Sequence, residues 1–187
     1  MPRWMPEAKE RLRDAAIELS VERGYENVTV TDITERAGLA RRTFSRYFTD
    51  KRDAFFADSE RLAETVGAAA AEAHEELGPW DATVVALRDV GDRLVQAVPT
   101  AGARRAVIRT NPELQERERT KLALIVDALA EALRGRGTPT PLANMLAQVG
   151  VAASSTAFEL WLDDPDGAAF RARFDAVLAE FSRALES

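Results

Sequence analysis

From Leu12 to Leu185, apolar residues recur at steps of three and four. The alternation of β-branched residues that a half-buried strand needs is nearly absent. Ala, Leu, Glu and Arg are abundant, and each favours helix. The pattern predicts an all-α chain of about nine helices. Glycine, proline and capping residues mark the breaks. Pro6 suits the first turn of a helix that Gly24 would end in a left-handed conformation. Thr29 with Asp32 reads as a capping box opening a short second helix, with Asp in place of the usual Glu. Gly38 closes that helix, and a third is expected over Arg41–Phe48. Asp50 with Asp53 repeats the capping pattern and starts a fourth helix, expected to run unbroken to Gly78-Pro79. Later helices are expected at roughly 80–98, 101–110, 112–134, 142–164 and 167–186. They are separated by Pro99, Asn111-Pro112, "GRGTPTP" and "DDPDG".

Charge is distributed unevenly. The 187-residue chain carries a net charge of -6. Residues 1–56 hold 11 Lys and Arg against 10 Asp and Glu, leaving 14 and 21 for the rest. The acid therefore belongs to the C-terminal two-thirds, and the stretch "LARRTFSRYFTDK" is locally basic. Cysteine is absent, which excludes a disulfide framework and fits a reducing compartment. No run of 18 apolar residues predicts a membrane span, and "MPRWMPEAKE" lacks the apolar stretch of a signal peptide. A cytoplasmic location is expected.

Two short helices joined by a tight glycine turn have the geometry of a helix-turn-helix. At 100° per residue, Phe44, Tyr47 and Phe48 fall on one side of the third helix. Arg42 and Arg46 fall on the other, with Arg41 and Ser45 at the edge. The aromatic side would pack on the first helix. The arginines would face solvent, where guanidinium groups suit guanine edges and phosphates. Hydroxyls at Thr31, Thr43, Ser45 and Tyr47 suit phosphate oxygens. The start of the fourth helix, with Lys51 and Arg52, is expected to meet the DNA backbone.

The segment "NVTVTDITERAGLARRTFSRYFTDKRDAFF" resembles the DNA-binding domain of the TetR family of transcriptional regulators, over roughly residues 7–56. It departs from the usual pattern at Thr34, Leu39-Ala40, Arg42 and Ser45. The resemblance implies a DNA-contacting set of Thr31, Arg41, Arg42, Thr43, Ser45, Arg46, Tyr47 and Lys51. Of these, Tyr47, Lys51 and Thr31 are assigned mainly to phosphates; Arg41, Arg42, Ser45 and Arg46 go to base edges. It also implies two domains: a helix-turn-helix over 1–56 and a ligand-binding and dimerisation domain over 57–187.

"RRAVIRTNPELQERE", residues 104–118, is similar to a mycofactocin-regulator-like branch of that family, whose C-terminal domain binds acyl-CoA-like ligands. A small apolar or acyl-type effector is then expected between helices. Lining residues would be Leu62, Val66, Leu87, Val90, Leu94 and Ile108, together with Ile125, Val149, Phe158 and Trp161. Arg104, Arg105 or Arg109 would meet a phosphate or carboxylate.

Near the C-terminus, Gly150, Ala153 and Ala157 would let another helix approach closely. With Phe174, Val177 and Phe181 they are expected to form a homodimer interface. A dimer would read a pseudo-palindromic operator. No catalytic constellation, cofactor loop or metal set is predicted. The one histidine, His74, reads as a solvated helix end. The expected function is a ligand-responsive repressor. A TetR-like activator and a helical protein-interaction scaffold are the alternatives.

Overall fold

The computed structural model describes residues 5–97 and 100–186. Met1–Trp4, the expected break at Pro99, and Ser187 lie outside them. Among the described residues the fold is all-α, with no strand. The helices are α1 (Met5–Arg23), α2 (Val30–Arg36), α3 (Arg41–Tyr47), α4 (Lys51–Phe56), α5 (Ser59–Ala71), α6 (Pro79–Ala97), α7 (Ala101–Arg109), α8 (Pro112–Gly135), α9 (Thr140–Asp163) and α10 (Phe170–Glu186), plus a 3-10 turn at Tyr25–Asn27.

The chain forms two compact units. The first comprises residues 1–58 and 100–119, the second 59–99 and 120–187. The expected cut after residue 56 falls near the first crossing point. The segment 100–119, however, belongs with the N-terminal residues. In the first unit, Leu12, Ile17 and Leu19 of α1 pack with Ile33, Phe44, Phe48 and Phe55. Val107, Ile108 and Leu114 complete the same core.

The expected long fourth helix is instead two helices, α4 and α5. The physical reason is a pair of cations that compete for its carbonyls. Arg104 Nε donates to the Phe55 carbonyl at 2.8 Å, and Lys9 Nζ donates to the Ala57 carbonyl at 3.2 Å. These oxygens would accept from residues 59 and 61 in a continuous helix. The far end of α5 stops at Ala71 rather than near Gly78. Arg136 collects the carbonyls of Ala73, His74 and Leu77 at 2.6, 3.0 and 3.1 Å.

The second unit buries Val66, Leu87, Val90, Ile125, Leu129 and Val151, with Phe170 stacked on Phe174 at 5.9 Å. Arg171 bridges Asp89 and Asp92 at 2.8 and 2.7 Å, joining α10 to α6.

Candidate nucleic-acid interface

The local sequence dictates how α2 and α3 are held. Gly24 and Gly38 have φ of 80° and 63°, a region that costs most other residues steric strain. The first ends α1 and the second turns α2 into α3. The capping box at Thr29 forms as expected: the Asp32 amide donates to Thr29 Oγ1 at 3.2 Å and the Thr29 amide to Asp32 Oδ2 at 2.8 Å. The Thr29 hydroxyl holds the Asp32 carboxyl below its ordinary value. Asp50 caps α4 through the Asp53 amide at 2.9 Å. Arg36 on α2 grips Glu22 on α1 with two bonds of 2.9 and 2.6 Å. Those bonds keep the Glu22 carboxyl below the usual carboxylate range. Arg11 also donates to the Ala37 carbonyl at the end of α2.

α3 divides by face. Phe44 and Phe48 are buried, with ring centroids 5.2 Å apart. Tyr47 is half-buried beside Phe48, and Thr43 is half-buried as well. Arg41, Arg42, Ser45 and Arg46 are exposed, as is Thr31 at the first turn of α2. Within the expected contact set, Thr31, Arg41, Arg42, Ser45 and Arg46 are thus solvent-exposed, while Thr43, Tyr47 and Lys51 are half-buried. Within it the side chains differ. Arg46 Nη2 donates to the Tyr47 hydroxyl at 3.0 Å, and its guanidinium lies 4.8 Å from the ring centroid. The guanidinium groups of Arg41 and Arg42 make no hydrogen bond or ion pair with a described residue.

Lys51 has a role that sequence reasoning missed. Its ammonium donates to the carbonyls of Tyr25 and Val28 at 2.8 and 3.1 Å, and lies 4.1 Å from the Tyr25 ring centroid. It therefore ties the start of α4 to the 3-10 turn. Two of its three donors are already committed. Arg52, one residue on, is exposed and holds Asp50 at 2.9 and 2.6 Å. Burial pushes the Asp50 carboxyl up, but the bonds from Arg52 and the Asp53 amide outweigh it and leave it below its ordinary value.

Residues 100–119 reinforce this unit. Arg104 pairs with Glu118 at 2.8 Å and covers the Phe56 ring at 4.8 Å. The expectation that it meets an effector's anion gives way to this assignment, because its donors hold Phe55 and Glu118. Asn111 donates to Glu26 at 2.7 Å. Each of these pairs spans 14 to 85 positions in the chain, beyond the reach of any local pattern.

The expected pocket residues separate between the units. Ile108 is part of the first unit's core, and Arg105 and Arg109 lie on the same helix, α7. Val66, Leu87, Val90 and Ile125 are buried together in the second unit, with Leu62, Phe158 and Trp161 packed against them. Leu94 and Val149 are half-buried. A hollow of about 210 Å³ is lined by Glu75, Leu77, Pro79, Arg136 and Thr138, none of them in the expected set.

The expected dimer face needs correction. Gly150, Ala153 and Ala157 point into the second unit's own core. A Cβ on Gly150 would lie 2.6 Å from Thr83 and 2.9 Å from Leu87, so the small residues serve the approach of α6 to α9. Phe174 is fully buried and Val177 is half-buried. Phe181 is exposed, as are Leu185, Leu142, Met145 and Leu160. His74 is exposed beyond the end of α5.

Residues 12–57 match the model of the bacterial regulatory proteins of the tetR family. Residues 77–186 match the MftR C-terminal domain. The chain belongs to the TetR family of transcriptional regulators. It is 33% identical to a Mycobacterium tuberculosis (strain ATCC 25618 / H37Rv) protein named as a mycofactocin biosynthesis transcriptional regulator, MftR. That match covers 92% of this chain and 90% of the relative. A TetR-family regulator from Syntrophomonas wolfei has the same fold, with a TM-score of 0.64 at 14% identity, over 96% of this chain and 95% of that one. FadR of Bacillus subtilis, solved with stearoyl-CoA, gives 0.59 at 20% identity, over 91% and 95%. Among the described residues no helix of this TetR-family chain is long and apolar enough to cross a membrane.

Proposed function

We propose that this TetR-family regulator is a repressor that binds a pseudo-palindromic operator as a homodimer and is released by an acyl-type effector. The observation that carries the reading is the exposed arginine face of α3, held by a buried aromatic side and two capped neighbours. In this reading the first unit reads DNA and the protein acts in the cytoplasm. A single α3 reads too few bases for specificity. Two related by a dyad would sit about 34–36 Å apart, or a multiple of that.

Dimerisation runs through the outer faces of α9 and α10. Leu142, Met145, Val149, Ala152, Thr156 and Leu160 follow steps of three and four along one side of α9. On α10 the stripe Phe174, Val177, Phe181, Leu185 grows steadily more exposed, reaching 73% at Leu185. An apolar stripe that outruns its own core calls for a second apolar surface.

The effector class is supported by the match to the MftR C-terminal domain and by the stearoyl-CoA bound to the related fold of FadR. Release requires that the effector bind better to a conformation with low operator affinity; tight binding alone shifts nothing. DNA selected from a random pool should be a dyad-symmetric site, with affinity falling steeply as salt rises. Long-chain acyl-CoA titrated into that complex should release the DNA. Failure to retain any DNA at low salt would overturn the regulator reading; retention without release by any acyl length would overturn the effector class.

A further inference from the structure

We infer that Arg42 sets the base specificity of the operator by a bidentate contact to guanine, while Arg46 serves the phosphate backbone. This rests on the operator-binding reading above. On α3, Arg42 and Arg46 are 40° apart on the outward side, so sequence position treats them alike. The structure separates them. Arg46 donates to the Tyr47 hydroxyl at 3.0 Å, and its guanidinium carbon lies 4.8 Å from that ring's centroid. Tyr47 is fixed in turn by Phe48, 6.3 Å away between centroids. A guanidinium held by a phenol at the flank of the helix has lost one edge of its donor fork. The Arg46–Tyr47 pair presents adjacent donors, an arrangement that suits phosphate oxygens.

Arg42 differs in each respect. It is exposed at the centre of the outward side, and no described residue holds its guanidinium. Ser45, one turn on, is small and leaves room for the full fork. Both edges of guanine presented in the major groove, O6 and N7, are acceptors, which matches a free guanidinium. The side chains that pair with adenine and cytosine in the major groove are missing from this helix. Adenine is read by Asn or Gln, and cytosine by Asp or Glu. Residues 28–56 contain no Asn or Gln, and α3 carries no carboxylate.

The test compares the selected operator with single-base variants, using the intact protein and two variants. Wild type should lose about 5- to 150-fold in affinity when the contacted guanine of one half-site is replaced. Substituting 7-deazaguanine there, which removes the N7 acceptor, should also weaken binding. Arg42→Ala should abolish both preferences. Arg46→Ala should weaken guanine and variant sites by the same factor and reduce the slope of log affinity against log salt by about 0.9 per half-site. Unchanged thermal melting of both variants would establish that the fold is kept, as expected of exposed side chains. Retained guanine preference in Arg42→Ala, or its loss in Arg46→Ala, would overturn this assignment while leaving operator binding intact. No DNA retained by wild type would overturn both readings.

Discussion

Replacing Gly150 by valine tests which side of α9 faces its own unit. A Cβ at this position would sit 2.6 Å from Thr83 Cγ2 and 2.9 Å from Leu87 Cδ1. Thr83 cannot yield cheaply. It is fully buried and β-branched, and its hydroxyl donates to the Pro79 carbonyl at 2.9 Å. Rotating it would break that bond, so α6 and α9 must part instead. Valine adds two further methyl groups to the same space. Overpacking of this kind costs about 3 kcal/mol, and the better helix propensity of valine over glycine returns roughly 0.4 kcal/mol. The net loss of about 2.5 kcal/mol should lower the melting temperature by about 5–10 °C in a chain of this size. Calorimetry at two protein concentrations is the assay. The shift should be the same at both, because the clash lies within one chain. A variant that melts like wild type but dissociates on dilution would refute the reasoning and return Gly150 to the interface between copies.

Met145→Glu should do the reverse, leaving helicity unchanged while weakening the dimer on the order of a hundredfold through two unpaired charges. Sedimentation equilibrium would measure it. Tyr25→Phe should stabilise by about 1 kcal/mol, because the phenol oxygen is buried with no hydrogen-bond partner among the described residues. Burial also raises the Tyr25 pKa. Its contribution is therefore full below the ordinary tyrosine value of about 10 and is lost as pH rises beyond it. Alkaline melting curves should lose that dependence in Tyr25→Phe. Lys51→Met should lower both thermal stability, by about 1–3 kcal/mol, and operator affinity. Lost affinity with unchanged melting would mean that Lys51 acts only on phosphate.

Local chemistry made much of the first unit legible. The Thr29–Asp32 capping box, the turns at Gly24 and Gly38, and the opposed aromatic and arginine sides of α3 all depend on residues within a few positions of one another. The break between α4 and α5 does not. It arises because Arg104, 49 residues from Phe55, takes a helix carbonyl. Lys51 was legible as a cation at the start of a helix, but not as the partner of carbonyls 26 and 23 residues back. The small residues of α9 were correctly read as permitting close approach. Periodicity alone has no means of saying whether the approaching helix comes from the same chain, and here it is α6. The same limit applies to the expected effector lining: a buried valine or leucine gives the same pattern whether it packs a core or faces a ligand.

The first unit is sewn from two stretches of chain. Val107, Ile108 and Leu114 fill the core beneath Tyr25 and Phe55, and Arg104 and Asn111 fasten it to Phe55 and Glu26. This limits how operator preference can be exchanged between relatives. A hybrid that joins residues 1–58 to another regulator's remaining sequence would place a foreign 100–119 segment under its own aromatic residues. Recombination at that seam should yield poorly folded readers. Substitution within α3 at the exposed Arg41 and Arg42, whose guanidinium groups bond no described residue, offers a route to new operators that leaves the shared core intact.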